Sequence, residues 1–221
     1  MFHTPIDILI VTALPEELAV LRETLHLHHH LPPSSQNFKS YYFNPTFVTK
    51  THSYSIVTIC LNGMGNTLAT ADATPAIHHL NPTYVFMYGI AGGFRREGAL
   101  ADVVVSHAIF YRALGKDGPT ERDYRPEVIA IDALLRERLC AYLNDLPAEK
   151  PYAVKLAPMV IGERVIANSA EIEAIRQLHP KVAAVDMESY GVGLAAAKHP
   201  LRPYYVAIRG ISDLADEHKD D

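Results

Sequence analysis

The first apolar stretch, Asp7-Ile8-Leu9-Ile10-Val11-Thr12-Ala13, is continuous and β-branched, the pattern of a strand buried on both faces. After Pro15 the spacing changes to Leu18, Leu21 and Leu25, which lines one face of a helix. From His26 to Gln36 the chain turns polar and His-rich around Pro32-Pro33-Ser34-Ser35, predicting a surface loop. Strands are predicted from Tyr41 to Lys50 and from Ser53 to Leu61, followed by a small-residue helix from Thr67 to Leu80 that stops before Pro82. Next come a strand from Tyr84 to Tyr88 closed by the turn Gly89-Ile90-Ala91-Gly92-Gly93, a β-rich run from Asp102 to Tyr111, and an amphipathic helix from Pro126 to Leu146. The last third predicts strands at Lys155 to Ile161, Val182 to Val185 and Pro203 to Arg209, with helices at Ala170 to Leu178 and Glu188 to Lys198. Strands and helices alternate without an internal repeat or a linker, so the expected fold is α/β: one domain over residues 1–221, three layers αβα with a mixed central sheet. Ligands of such sheets bind beyond the carboxyl ends of the strands. Three clusters fall there: Leu14-Pro15-Glu16-Glu17, the glycine-rich turn after Tyr88, and Ile211-Ser212-Asp213 after Arg209.

Composition narrows the partners. With 48% hydrophobic and 20% charged residues, 221 residues bury a full core. A net charge of -5 gives no broad attraction to nucleic acid or to an anionic membrane, so an anionic ligand needs a local site. Cys60 and Cys140 stand far apart without zinc or disulfide spacing and read as small core residues in a reducing cytosol. Met1-Phe2-His3-Thr4-Pro5 lacks the flank of a signal peptide, and no apolar run reaches the roughly 18 residues of a membrane span. The expectation is a cytoplasmic protein. His28-His29-His30 and His78-His79 do not combine with Cys or carboxylates at a ligand spacing, so neither metal nor cofactor is expected.

Taken singly, the candidate residues have ordinary readings. Asp213 could cap a helix beginning near Leu214, Glu17 could be a first-turn acid facing the helix dipole, and Glu188 the same beside a core Met187. Gly89 to Gly93 could be only a tight turn. Taken in order, Ala13-Leu14-Pro15-Glu16-Glu17, Gly89-Ile90-Ala91-Gly92-Gly93, Ala183-Ala184-Val185-Asp186-Met187-Glu188 and Arg209-Gly210-Ile211-Ser212-Asp213 resemble the methylthioadenosine/S-adenosylhomocysteine nucleosidases and their nucleoside phosphorylase relatives over essentially the whole chain.

The resemblance implies hydrolysis of the N-ribosidic bond of a purine, specifically adenine, nucleoside or nucleotide, with release of the free base. Such cleavage builds positive charge on the sugar and leaves a base that needs a proton. Asp213 matches the general acid that serves purine N7, with Ser212 orienting it, and Glu17 matches the carboxylate that activates water, with Arg209 positioning that water. Glu188 matches the ribose-hydroxyl ligand, where a carboxylate accepts two hydrogen bonds and favours a cationic sugar, and Met187 lies against the ring. By the same likeness Ala91 and Gly92 line the base pocket, while Val165 and Ile166 contact the purine from the other side.

Three positions depart from the pattern. Asp186 stands where relatives often carry Glu, Val165 where they often carry an aromatic, and Ile90 where methylthioadenosine nucleosidases have serine. Around the glycine-rich turn, purine phosphorylases use an arginine and a serine for phosphate; Met87 and Ile90 here donate no hydrogen bond, which favours water as nucleophile. The alternatives are a phosphorylase or a catalytically silent nucleoside-binding sensor, and the presence of both Glu17 and Asp213 favours the enzyme.

The wording from Arg209 to Asp216 is also similar to nucleosidase-like effector domains fused to other modules in defence proteins, some acting on adenine nucleotides. A nucleotide's phosphates would call on Arg95, Arg96, Lys116, Arg122 or Arg125. The family continues into a further helix where this sequence ends at Asp221, as an excised or truncated domain with a fused partner would. The resemblance further implies a homodimer.

Overall fold

In the computed structural model of the chain, the described residues are 6–30, 41–112, 115–117, 122–147, 149–163, 174–175, 177 and 179–214. They form a mixed α/β protein whose chain divides into two compact units, residues 1–89 with 191–205, and residues 90–190 with 206–221.

The first unit runs β1 (Ile8–Thr12), α1 (Pro15–Thr24), β2 (His28–His30), β3 (Tyr41–Val48), β4 (Ser53–Cys60), α2 (Asn66–Leu80) and the first six residues of β5 (Tyr84–Gly93). β1 pairs in parallel with β4 and β5, so that Ile8 faces Ile56 and Tyr84, and Val11 faces Ile59 and Met87. A strand paired on both edges and covered on both faces has no solvent side, hence its unbroken apolar run, with Leu9 and Val11 fully buried. β3 and β2 extend this sheet as antiparallel neighbours. Pro15 at the first position of α1 sets a φ suited to a helix start, and Leu18 and Leu21 are its buried face. α2 buries Ala69, Ala73, Ala76, Ile77 and Leu80 and ends at Asn81 in the left-handed region, φ 45°.

The second unit contains the end of β5, β6 (Val103–Tyr111), β7 (Gly115–Asp117), β8 (Arg122–Tyr124), β9 (Glu127–Ala130), α3 (Ala133–Asn144), β10 (Val154–Ile161), β11 (Ala184–Asp186), the first two residues of α4 (Ser189–Lys198) and most of β12 (Tyr204–Leu214). β6 pairs in parallel with β10 and antiparallel with β9 and β12. β10 pairs in parallel with β11, and β11 lies antiparallel to the end of β5, Val185 facing Gly92. Pro158 has no N–H to give a ladder, and the β6–β10 register shifts between Ala157 and Pro158. Phe94, Val160, Ile175, Val182 and Val185 form a buried cluster beneath these strands. Gly93 permits a close approach here, because a Cβ on it would stand 2.6 Å from Ile211 Cγ2.

Several expected boundaries move. Residues 28–30 of the expected His-rich loop form β2, an edge strand that takes its hydrogen bonds from β3; residues 31–36 lie outside the described residues. The Gly89 to Gly93 segment is the end of β5, and its last two residues, Gly92 and Gly93, pair with β11. The helix expected from Pro126 begins only at Ala133, where Asp132 accepts from the Leu134 and Leu135 N–H groups; the preceding residues pair with β6 as β9. None of the α3 residues is fully buried, and Cys140, expected in the core, is exposed on it; Cys60 is half-buried. β12 runs on through Asp213 and Leu214, so no helix starts at Leu214 for Asp213 to cap. Of the helix expected from Ala170 to Leu178, residues 174, 175 and 177 are helical and the others lie outside the described residues.

Candidate active site

In the second unit, β11 ends in Asp186 with Met187 and Glu188 directly after it, β12 carries Arg209, Ser212 and Asp213, and the end of β5 supplies Ala91 and Gly92. Arg209 is 1% exposed, the largest side chain so enclosed, and its Nε donates to Asp186 Oδ2 at 2.6 Å. Its Nη2 donates to Ser189 Oγ at 3.2 Å and stands 3.9 Å from Glu188 Oε2. Asp186 also accepts from the Glu188 and Ser189 N–H groups through Oδ1, at 3.2 and 3.1 Å, and from the Ser189 hydroxyl through Oδ2. Two carboxylates and one guanidinium thus meet in one buried group. Buried ions persist only when paired and hydrogen-bonded, and each bond named here meets that demand.

Ser212 Oγ lies 3.2 Å from Asp213 Oδ2 and 3.5 Å from the Ala91 carbonyl oxygen. One hydroxyl proton serves one of these acceptors at a time; when it points to Ala91, a Ser212 lone pair faces Asp213. Ala91 is thus joined to the end of β12 by Ser212, and Gly92 to β11 by strand pairing. Met187 is half-buried between Asp186 and Glu188, both buried.

Glu17 belongs to the first unit, just past the end of β1. It is buried, and its Oε2 accepts from the Ala13 and Leu14 N–H groups at 2.8 and 2.9 Å, the reach-back of a third helical residue to its helix start. Burial and then the nearby Glu17 charge push the Tyr88 phenol above its usual range. Val165 and Ile166 lie outside the described residues.

Two residues past Glu188, the Tyr190 hydroxyl donates to Glu127 Oε2, and its ring stacks on Tyr111 with centroids 4.1 Å apart and planes 5° apart. Tyr111 in turn donates to Glu163 Oε1 at 2.8 Å. Burial, then the carboxylate partners, push both phenols up to about 12. This brace joins β6, β9 and the start of α4 in the second unit. Sequence reasoning missed Tyr88, Tyr111, Tyr190 and Ser189. Asp186 followed three residues later by Ser189 at a strand-to-helix junction is a helix-start pattern that could have been noticed; no local pattern announces the tyrosine stack.

Among the described residues no group of three or more His, Cys, Asp or Glu side chains could hold a metal ion. Among them, too, no helix is long and apolar enough to cross a membrane.

The chain is similar to several known proteins. The chain is 29% identical over 251 residues to the ATP nucleosidase Cap17 of Escherichia coli, covering 100% of this chain and 48% of that protein, so it spans about half of its length. It is 26% identical over 211 residues to the 5'-methylthioadenosine/S-adenosylhomocysteine nucleosidase of Tolumonas auensis, covering 93% of this chain and 85% of that one. The crystal structure of the corresponding nucleosidase of Colwellia psychrerythraea in complex with adenine superposes with a TM-score of 0.74 at 19% identity, over 98% of this chain and 86% of that one. That likeness gives the expected nucleoside phosphorylase/nucleosidase fold. A sequence profile of the phosphorylase superfamily matches residues 7–221, and the chain belongs to that family.

Proposed function

We propose that this chain is an N-glycosyl hydrolase that cleaves the bond between adenine and ribose in a nucleoside or nucleotide, with water as the acceptor. The observation that carries the reading is the buried group of Asp186, Glu188 and Arg209 beside Met187. Fixed negative charge facing a sugar that becomes cationic favours the transition state over the neutral ground state. Glu188 takes the ribose hydroxyls, and Met187 lies against the ring.

Asp213 serves as the general acid at N7. Ser212, when bonded to the Ala91 carbonyl, turns a lone pair toward Asp213 and can accept from its protonated form, which supports the orienting role. Glu17 draws the proton from water, and its two backbone bonds fix the carboxylate's position. Met87 is fully buried and Ile90 is apolar, so neither answers the phosphate requirement of a phosphorylase. The likeness to nucleosidases, among them one named for ATP, supports an adenine-containing substrate and extends the class to nucleotides.

The acid is tested with a base that needs no proton. Asp213→Asn should lower kcat on ordinary adenine nucleosides about 10²- to 10⁴-fold, and on an N7-methylated purine nucleoside, whose base leaves without protonation, by less than about tenfold. Equal losses on both would remove Asp213 from the proton transfer.

A further inference from the structure

We propose that Asp102 is a positioning residue for the general acid: its carboxylate locks the turn before β6, and that turn holds β12 at the residue just before Ser212 and Asp213. The proposal rests on the nucleosidase reading and adds a role for a residue to which that reading assigns none. Every contact in it lies within the second unit. Asp102 is buried. Its Oδ1 accepts from the Ala153 N–H at 2.8 Å, and its Oδ2 from the Ala99 N–H at 3.0 Å and the Lys155 ammonium at 3.1 Å. Lys155 also donates to the Glu97 carbonyl oxygen at 2.6 Å, so one ion pair ties residues 97–102 to the start of β10.

The turn held in this way is strained. The Asp102 N–H donates to the Ala99 carbonyl oxygen at 3.2 Å, closing a β-turn whose third residue is Ala101 at φ 69°. Glycine or asparagine suits that position; an alanine stays there only where its surroundings over-determine it. The Asp102 carboxylate does so by gripping the Ala99 N–H at the other end of the turn. In this conformation the Ala101 N–H donates to the Ile211 carbonyl oxygen at 2.9 Å, and the Ile211 N–H donates to the Asp102 carbonyl oxygen at 2.8 Å. Two backbone bonds thus fix Ile211, and Ser212 and Asp213 are the next residues of β12. If the carboxylate lets go, Ala101 relaxes toward negative φ and its N–H leaves Ile211. Proton transfer feels such a displacement sharply, because the acid must stand within hydrogen-bond reach of the base.

The test uses a substrate pair that separates placement of the acid from the rest of the site. Base release is measured on an adenine nucleoside that the wild type cleaves and on its N7-methylated form, which leaves without a proton, for the wild type, Asp102→Asn, Lys155→Met and Asp213→Asn. Asp102→Asn loses the acceptor for Ala99 and Lys155. It should lower kcat on the ordinary nucleoside about 10- to 100-fold and on the methylated one by less than about threefold, with KM for both changed by less than about threefold. Lys155→Met removes one of the three bonds and should give a loss of about three- to tenfold, again only on the ordinary nucleoside; with Lys155 partly exposed, it carries the test if Asp102→Asn fails to fold. Equal losses on both substrates, or unchanged turnover, in folded Asp102→Asn overturn the proposal, as they do in Lys155→Met where that variant carries the test. Equal losses in Asp213→Asn overturn the acid assignment, and this proposal with it. Absence of base release by the wild type from every adenine nucleoside and nucleotide overturns the nucleosidase reading itself.

Discussion

At the residue scale, one side chain meets two demands. Glu17 closes the start of α1 by accepting from Ala13 and Leu14 through Oε2, and the proposal also asks it to take a proton from water. The two roles separate under substitution. Glu17→Gln retains an amide oxygen for the backbone bonds, so its stability should fall by no more than about 1 kcal/mol, while adenine release should fall about 10²- to 10⁴-fold. Thermal unfolding measured beside turnover distinguishes them; near-wild-type turnover excludes Glu17 as the base. Glu17, Glu188 and Asp213 stand out in the sequence as candidates only because their order along the chain resembles a family. Asp186 does not, because its meaning lies in Arg209, 23 residues further on, and in a hydroxyl three residues away. A single sequence shows neighbours along the chain, and long-range hydrogen bonds are invisible in it.

At the scale of elements, hydrophobic periodicity identified the strands that are buried on both faces and the helices that follow them. β1, β4, β6 and β10 stand where their apolar runs put them. The shifted strand boundaries share one cause: backbone pairing recruited residues with no strand-like pattern. Gly92 and Gly93 extend β5 by pairing with β11, and His28 to His30 became an edge strand on β3. Close contact between elements also explains a glycine that periodicity does not require. Gly191 in α4 donates its N–H to Asn66 Oδ1 at 2.9 Å, and a Cβ there would stand 2.3 Å from the Asn66 backbone oxygen. A backbone atom cannot swing aside, so Gly191→Ala should destabilise the protein by about 2–4 kcal/mol. Chemical denaturation is the check, and a loss under about 0.5 kcal/mol would mean that α2 and α4 are less tightly packed.

At the scale of the whole molecule, the protein carries charge-linked limits at both ends of the pH range. Burial, and then the neighbouring His78, lower the His199 pKa, so the unfolded chain binds a proton there before the folded one does. Stability from this site is present above the ordinary histidine value of about 6.5 and is lost as pH falls below it. Burial alone would raise Asp102, but the Ala153 and Ala99 N–H groups and Lys155 outweigh it and lower its pKa; its contribution is present above about 4 and lost as pH falls further. In alkali the sign reverses. Tyr111 and Tyr190 keep their protons up to about 12 in the folded protein, whereas free phenols ionise near 10, so stability falls as pH rises between these values. Unfolding midpoints across pH should decline on both sides, and His199→Gln should flatten the decline between about pH 6.5 and 5; an unchanged slope would remove His199 as its source.

The most direct measurement is the product analysis of the wild-type protein with adenosine, methylthioadenosine, S-adenosylhomocysteine, AMP and ATP, each with and without inorganic phosphate, by chromatography. Hydrolysis predicts free adenine and a sugar product unphosphorylated at C1, in yields that phosphate leaves unchanged. A sugar 1-phosphate formed only when phosphate is present, or intact substrate that binds without being cleaved, would contradict it.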